Sequence, residues 1–294
     1  PRLGGIGRYI LNDMSKFFFF LLILFSCKEK TNLLELSEGK LSGIQYMYIP
    51  QNIDGEIKSR KIIIHANENP NPDFLYPIVF FFHGNGGEAD SWLNQNQDLV
   101  DDHQFIGIYP QGYKRSWNLG KESSNADDVE FSRMIMTKVS EYENIDLGKV
   151  FAIGTSNGSA LVNELGIKVD FLRGIGPIAS QLLLNQSPTK SIHPLSVYQV
   201  CGSDDQVIPY EGGISGVGHE FRSSQESASV WAYAIGCDSN YHTSVSGIDT
   251  IYTFSGCDQN NEIVFRRVEG GNHNLNGKGR LIIRDIWRFF LNLD

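Results

Sequence analysis

The stretch Lys149–Ser159 (KVFAIGTSNGS) constrains this chain more than any other. An apolar run, Val150–Ile153, meets Gly154-Thr155-Ser156-Asn157-Gly158, and small residues open the segment that follows. This is the G-x-S-x-G pattern in the context it requires, a buried strand turning sharply into a helix. Such a turn strains the backbone of the middle Ser and raises its hydroxyl over the sheet edge. Glycines two residues to either side are needed because a Cβ there would collide with the neighbouring strand or helix. Ser156 is therefore the candidate nucleophile. The competing reading of the same residues is a Gly/Ser loop that caps an ordinary helix, and partners elsewhere in the chain must separate the two.

Around this turn, strands and helices alternate. Ile44–Ile49 and Arg60–His65 read as opening strands, and Ile78–Phe82 (IVFFF) as a central parallel strand buried on both faces. Strands are also expected at Phe105–Tyr109, Val150–Ile153, Gly174–Ile178, Val197–Cys201 and Ile263–Val268. Helices are expected at Ala89–Val100, Asp127–Tyr142, Ser156–Gly166, Glu220–Ile235 and Gly279–Leu293. This order predicts an α/β fold, a doubly wound, mostly parallel sheet with helices on both faces. Ligands in such sheets bind at the carboxyl ends of the strands. The net charge of −9 argues against a nucleic-acid partner.

The front of the chain reads as targeting rather than fold. Met14-Ser15-Lys16 precedes nine apolar residues, Phe17–Phe25, and then Ser26-Cys27. A short basic region, a short apolar core and a small residue before Cys describe an export signal. The apolar core is far below the roughly 20 residues needed to span a bilayer. Leu24-Phe25-Ser26-Cys27 resembles a bacterial lipobox, in which Cys27 carries the lipid and anchors the protein to a membrane. Phe25 is larger than that motif usually carries. The expected organisation is an upstream extension foreign to the native protein over 1–13, a lipoprotein-type signal over 14–26, a short tether over 27–40 and one α/β catalytic domain over 41–294. Of the remaining cysteines, Cys201 lies in a β-rich run and reads as a buried small hydrophobe. Cys237 and Cys257 bracket a polar 19-residue loop and are a candidate disulfide for an oxidising compartment.

A Ser hydroxyl needs a base within hydrogen-bond reach, and in this architecture the partners follow in the order Ser, acid, His. His193, His219, His242 and His273 all lie after Ser156. His273 sits in a Gly-rich loop, Glu269–Asn274, immediately after an expected strand, where the imidazole can reach back over the sheet. The other three fall in polar loops and read as surface residues. One strand earlier, Asp204 and Asp205 follow Val197–Cys201; spacing alone does not separate them, and a plain Asx turn is the alternative. An oxyanion needs two donors, usually backbone N–H groups. Asn157, directly after the Ser, offers one. Asn85 offers the other, in His83-Gly84-Asn85-Gly86-Gly87, a loop of the HGGG type directly after IVFFF. No metal-ligand spacing and no G-x-G-x-x-G after a strand is present, so neither a metal nor a nucleotide cofactor is expected.

Taken in order, these blocks resemble the polyhydroxybutyrate depolymerase-like esterases and the related feruloyl and acetylxylan esterases. The resemblance covers about Ser42–Leu291 and rests on PIVFFFHGNGG (77–87), YPQGYKRSWNLG (109–120), DDVEF (127–131), NIDLGKVFAIGTSNG (144–158), GSDDQVIPYEGG (202–213), WAYAIGC (231–237) and GGNHNLNG (270–277). It implies an α/β-hydrolase fold without a cofactor, with Ser156 as nucleophile and His273 as base. The Gly-x-x-Asp spacing from Gly202, followed by Val207-Ile208-Pro209-Tyr210, implies Asp205 rather than Asp204 as the acid. The resemblance also pairs Cys237 with Cys257 and places Trp117 and His83 at the substrate cleft. Ser159, Cys201, Asn272 and Asn274-Leu275-Asn276 depart from the usual pattern. The last of these alters the wall beside His273, so the resemblance carries mechanism further than substrate. The implied protein is an exported serine esterase whose substrates are feruloyl or acetyl esters on plant polysaccharide. Three alternatives stay open: a polyester depolymerase, a peptidase on the same fold, and a non-catalytic glycan-binding lipoprotein.

Overall fold

The computed structural model describes residues 39–103 and 105–293, so Cys27 and the expected signal lie outside the described residues. The described chain opens with an antiparallel pair, β1 (Ile44–Ile53) and β2 (Glu56–His65), followed by β3 (Tyr76–Phe82), α1 (Ala89–His103) and β4 (Ile106–Pro110). Next come α2 (Asp128–Val139), β5 (Ile145–Thr155), α3 (Asn157–Lys168), β6 (Gly174–Ile178) and β7 (Ser196–Gly202). A two-residue pair, β8 (Gly213–Ile214) and β9 (Glu220–Phe221), precedes α4 (Ser224–Ala234). A hairpin of β10 (Tyr241–Ser246) and β11 (Asp249–Phe254) leads to β12 (Ile263–Val268) and α5 (Gly279–Leu291). Ten strands form one sheet in the order β1-β2-β4-β3-β5-β6-β7-β12-β11-β10. The run from β4 to β12 is parallel, and an antiparallel pair flanks each end.

The central strands are apolar throughout because both faces are covered. In β3, Ile78, Phe80 and Phe82 pack on one face with Phe131, Ile135, Leu161, Leu165 and Trp231 of α2, α3 and α4. Val79 and Phe81 point to the other face, which α1 and α5 close with Trp92, Leu93, Ile282, Ile286 and Phe290. The same alternation divides β5, with Val150 and Ala152 on the first face and Phe151 and Ile153 on the second. Two helices begin where side-chain caps place them. Asp127 accepts from the Glu130 N–H at 2.8 Å, and Ser223 accepts from the Glu226 N–H at 3.2 Å. The second cap starts α4 at Ser224, four residues after the start expected from its apolar spacing, and leaves Glu220–Phe221 free to pair as a strand.

The segment between Cys237 and Cys257, expected as a loop, is largely the β10–β11 hairpin that extends the sheet. Its period was hidden because every residue of β10 is exposed, so no face of that strand marks a core. Cys237 and Cys257 form a disulfide. Cys201 is a buried free thiol whose pKa burial pushes up to about 12.

Candidate active site

Ser156 sits between β5 and α3 with φ 53° and ψ −121°, a conformation that a side chain adopts only under constraint. The flanking glycines supply the constraint. A Cβ on Gly154 would lie 2.4 Å from the Gly158 carbonyl oxygen, and one on Gly158 would lie 2.3 Å from that of Phe82. Backbone therefore presses on backbone at both positions, and only hydrogen fits. The Ser156 N–H donates to the Ile178 carbonyl at 2.9 Å, which ties the turn to the adjoining strand β6.

The loops after β7 and β12 bring the other two groups to Ser156. The Ser203 and Asp204 N–H groups donate to the Val268 and Gly271 carbonyls at 3.0 and 2.9 Å, zipping the two loops together. Their approach is so close that a Cβ on Gly202 would sit 2.2 Å from the Gly271 oxygen. His273 Nε2 lies 2.9 Å from Ser156 Oγ, and its Nδ1 lies 2.7 Å from Asp205 Oδ2. Asp205 is only 4% exposed, and its other oxygen accepts from the Val207 and Ile208 N–H groups at 2.8 and 3.0 Å. The acceptor role of both oxygens makes the His273 Nδ1–H the donor, which leaves Nε2 to accept from the Ser156 hydroxyl. Asp204 is exposed and its carboxylate meets the Ser203 hydroxyl instead.

The Gly84–Gly87 loop closes the site from the β3 side. A Cβ built on Gly84 would touch Ser156 Cβ at 3.4 Å, so the loop backbone runs directly beside the Ser156 side chain. Asn157 opens α3, where the first amides lack intrahelical acceptors and the helix dipole favours negative charge. The Asn157 side chain is committed elsewhere. Its Oδ1 accepts from the Trp117 N–H at 2.8 Å, and its Nδ2 donates to the Trp117 carbonyl at 3.0 Å and to Glu122 Oε1 at 3.2 Å.

His83 and Trp117, expected at the substrate cleft, are instead fully buried beneath it. The Gly112 N–H donates to His83 Nε2 at 3.0 Å, so Nδ1 carries the proton and donates to the Gly84 carbonyl at 2.8 Å. Burial lowers the His83 pKa, in keeping with a neutral ring. Trp117 Nε1 donates to the His83 carbonyl at 2.7 Å. Both side chains hold the loop that faces the cleft and do not reach the cleft themselves.

Two cavities open beside Ser156. One, of about 680 Å³, is lined by His273, Asn94, Gln95, Asn96, Asn274 and Arg280, with Trp92, Ile178, Leu275 and Ile283 giving it an apolar share as large as the polar one. The second, of about 380 Å³, is lined by Asn157, Leu119, Val207, Ile208, Val217 and Phe221, with Glu122, His219 and Ser215. His219, expected at the surface, is 6% exposed, and its Nε2 donates to Glu122 Oε1 at 2.8 Å. Nothing in the sequence pointed to this pair, whose members are 97 residues apart. Asp249 was equally invisible. It lies 1% exposed on β11, with Oδ2 2.6 Å from Arg266, while Oδ1 accepts from Lys278 Nζ at 3.0 Å and the Glu269 N–H at 3.3 Å. The carboxylate thus grips both ends of the His273 loop. Among the described residues, no group of three or more His, Cys, Asp or Glu is placed to hold a metal ion.

No protein-family model matches the chain. Among curated proteins it is 23% identical over 238 residues to feruloyl esterase B of Piromyces equi, covering 76% of this chain and 44% of that protein. It is 23% identical over 265 residues to feruloyl esterase D of Neurospora crassa, covering 82% of this chain and 84% of the relative. The chain spans less than half the length of the Piromyces protein and of a putative esterase from Nocardia uniformis. Among solved structures, a mutant feruloyl esterase module from Clostridium thermocellum, complexed with sinapinate, matches with TM-score 0.56. That match has 13% identity and covers 85% of this chain and 89% of the module. An acetyl xylan esterase from Aspergillus awamori matches with TM-score 0.54 at 13% identity, covering 78% of this chain and 94% of that one. The chain has an α/β-hydrolase fold and is similar in sequence to feruloyl esterases. In this α/β-hydrolase fold the elements that meet at Ser156 are the carboxyl ends of β3, β5, β7 and β12, as the doubly wound topology requires.

Proposed function

We propose that the chain is an exported serine esterase that cleaves carboxylic esters through an acyl-enzyme. The observation that carries this reading is the linear relay from Ser156 Oγ to His273 Nε2 and from His273 Nδ1 to Asp205 Oδ2, at 2.9 and 2.7 Å. Ser156 attacks the ester carbonyl while His273 takes its proton, and Asp205 stabilises the imidazolium. The backbone N–H groups of Asn85 and Asn157 hold the oxyanion. His273 then protonates the departing alcohol, and water repeats the sequence on the acyl-enzyme.

The substrates in this reading are feruloyl or acetyl esters on plant polysaccharide. Support comes from the relatives that carry the name feruloyl esterase, and from the polar side chains of Asn94, Gln95, Asn96 and Asn274 among the lining on the His273 side, where the alcohol must leave. Export and a lipid at Cys27 follow from the signal pattern over 14–26, and the Cys237–Cys257 disulfide suits an oxidising compartment.

Turnover of p-nitrophenyl acetate, methyl ferulate and a hydroxybutyrate oligomer, with Ser156→Ala alongside, tests the proposal. The expected result is ferulate turnover that disappears in the variant, together with covalent labelling of the parent by a serine-directed phosphonate. Absence of labelling, or unchanged turnover in Ser156→Ala, overturns the enzyme reading. Turnover of the oligomer alone replaces the carbohydrate-ester substrate with a polyester.

A further inference from the structure

The smaller cavity carries a second inference, which rests on the hydroxycinnamoyl-ester reading above. His273 has to protonate the leaving alcohol, so the alcohol side of the scissile bond lies over the cavity that His273 lines. The acyl side then falls into the other cavity, which Ser156 and Asn157 share and His273 does not line. Leu119, Val207, Ile208, Val217 and Phe221 give that space apolar walls, and its volume of about 380 Å³ lies in the range for an aromatic ligand rather than an acetyl group.

Polar groups interrupt these walls, among them Glu122, His219 and Ser215, with Lys121, Ser123 and Ser180 also on the lining. Glu122 accepts four hydrogen bonds, from His219 Nε2 at 2.8 Å, Asn157 Nδ2 at 3.2 Å, the Leu119 N–H at 2.8 Å and the Lys121 N–H at 3.2 Å. With both oxygens engaged, it fixes the His219 ring with Nε2 protonated, which leaves Nδ1 as the atom able to accept a new hydrogen bond. Ser215, 6% exposed, has a buried hydroxyl with no hydrogen-bond partner. Its backbone is held against His219, whose carbonyl accepts from the Ser215 N–H at 2.8 Å, so both groups come from the one short turn between β8 and β9. A buried hydroxyl is costly to leave unpaired, and a ligand that supplies the partner removes the cost.

We propose that this cavity is the acyl pocket and that His219 and Ser215, with Glu122 behind them, select acyl groups whose aromatic ring bears a hydroxyl. The ring lies among the apolar walls, and its hydroxyl pairs with His219 Nδ1 and Ser215 Oγ.

The test compares kcat/KM for methyl 4-hydroxycinnamate and methyl cinnamate, which differ only in that hydroxyl, in the parent, His219→Phe and Ser215→Ala. Turnover of p-nitrophenyl acetate measured alongside reports how much of any loss arises at the triad. The ratio is taken within each protein, so an incompletely folded fraction cancels, and Ser215→Ala is small enough to leave packing intact. The parent is expected to prefer the hydroxylated ester by about tenfold or more, since a site built to pair a hydroxyl rejects the analogue without it. Both variants are expected to bring the ratio near one. A parent with no preference, or variants that keep the parent's ratio, overturns the pocket assignment while the esterase reading stands. A parent that cleaves the acetate but neither cinnamoyl ester overturns the hydroxycinnamoyl reading itself and this inference with it.

Discussion

Asp249 offers a sharp test of how the fold holds His273, because one buried carboxylate ties the β10–β11 hairpin, β12 and the His273 loop together. Asp249→Asn preserves volume, so no cavity contributes, and only the charge and its hydrogen bonds are altered. Removing one partner of a buried ion pair costs about 3–5 kcal/mol. Here the loss is smaller, because Arg266 keeps Asp285 at 2.8 Å and the Lys278 side chain is 31% exposed. About 2–3 kcal/mol remains, which for a domain of this size lowers the thermal midpoint by about 5–10 °C. The Glu269 N–H and Lys278 bracket His273, so the loop loosens as well, and an ångström of misplacement costs about 100-fold in rate. Scanning calorimetry and steady-state kinetics measure both effects, with kcat expected to fall more than KM rises. The pH dependence fixes the mechanism. Burial alone would raise the Asp249 pKa, but hydrogen bonds and charge from Arg266 and Lys278 hold it below the ordinary carboxylate value. A depressed folded-state pKa gives stability that is complete above the unfolded value of about 3.9 and lost as pH falls through the folded value. The gap between parent and variant should therefore close only in acid, below about pH 4. A midpoint within about 1 °C of the parent at neutral pH, or a gap that persists unchanged in acid, refutes the clamp.

Asp205→Asn should fold normally by circular dichroism yet lose about 10⁴-fold in kcat, because an amide no longer holds the His273 tautomer; a loss under about tenfold would remove Asp205 from the relay. Gly158→Ala places a Cβ 2.3 Å from the Phe82 carbonyl oxygen, a clash of backbone with no flexible group to yield. Urea unfolding should show a loss of about 3 kcal/mol or more, or no soluble protein at all. The Cys237→Ser, Cys257→Ser double variant opens a loop of sequence separation 20, and its stability should fall by about 3 kcal/mol in the same assay, a change that reductant should reproduce in the parent.

The parts of this fold that were legible in the sequence are those where both faces of a strand are buried. The strand expected at Ile263–Val268 coincides with the observed one, and Ile78–Phe82 announces itself as an apolar run within β3. The hairpin of β10 and β11 did not, because Tyr241–Ser246 turns every side chain to solvent and Asp249–Phe254 buries only its two ends. Burial on a face is what imprints a period of two, and these strands have almost none. The hairpin matters to the site all the same, since it delivers Asp249.

A similar limit governs the site itself. The sequence places backbone well, because the glycines of G-T-S-N-G and H-G-N-G-G have steric reasons to be where they are. It does not say where the side chains between those glycines point. The resemblance places His83 at the cleft, yet its ring turns inward, where the Gly112 N–H fixes it and it holds the Gly84 carbonyl. His219 reads as a surface residue because its loop is polar, yet Glu122 draws it into the wall of a cavity from 97 residues away. Both errors have one cause. A histidine's direction is set by the partner that satisfies its ring nitrogens, and in each case that partner comes from a segment remote in the chain. The relay at Ser156 escaped this limit only because the topology, which sequence order does reveal, delivers its three members to adjacent strand ends.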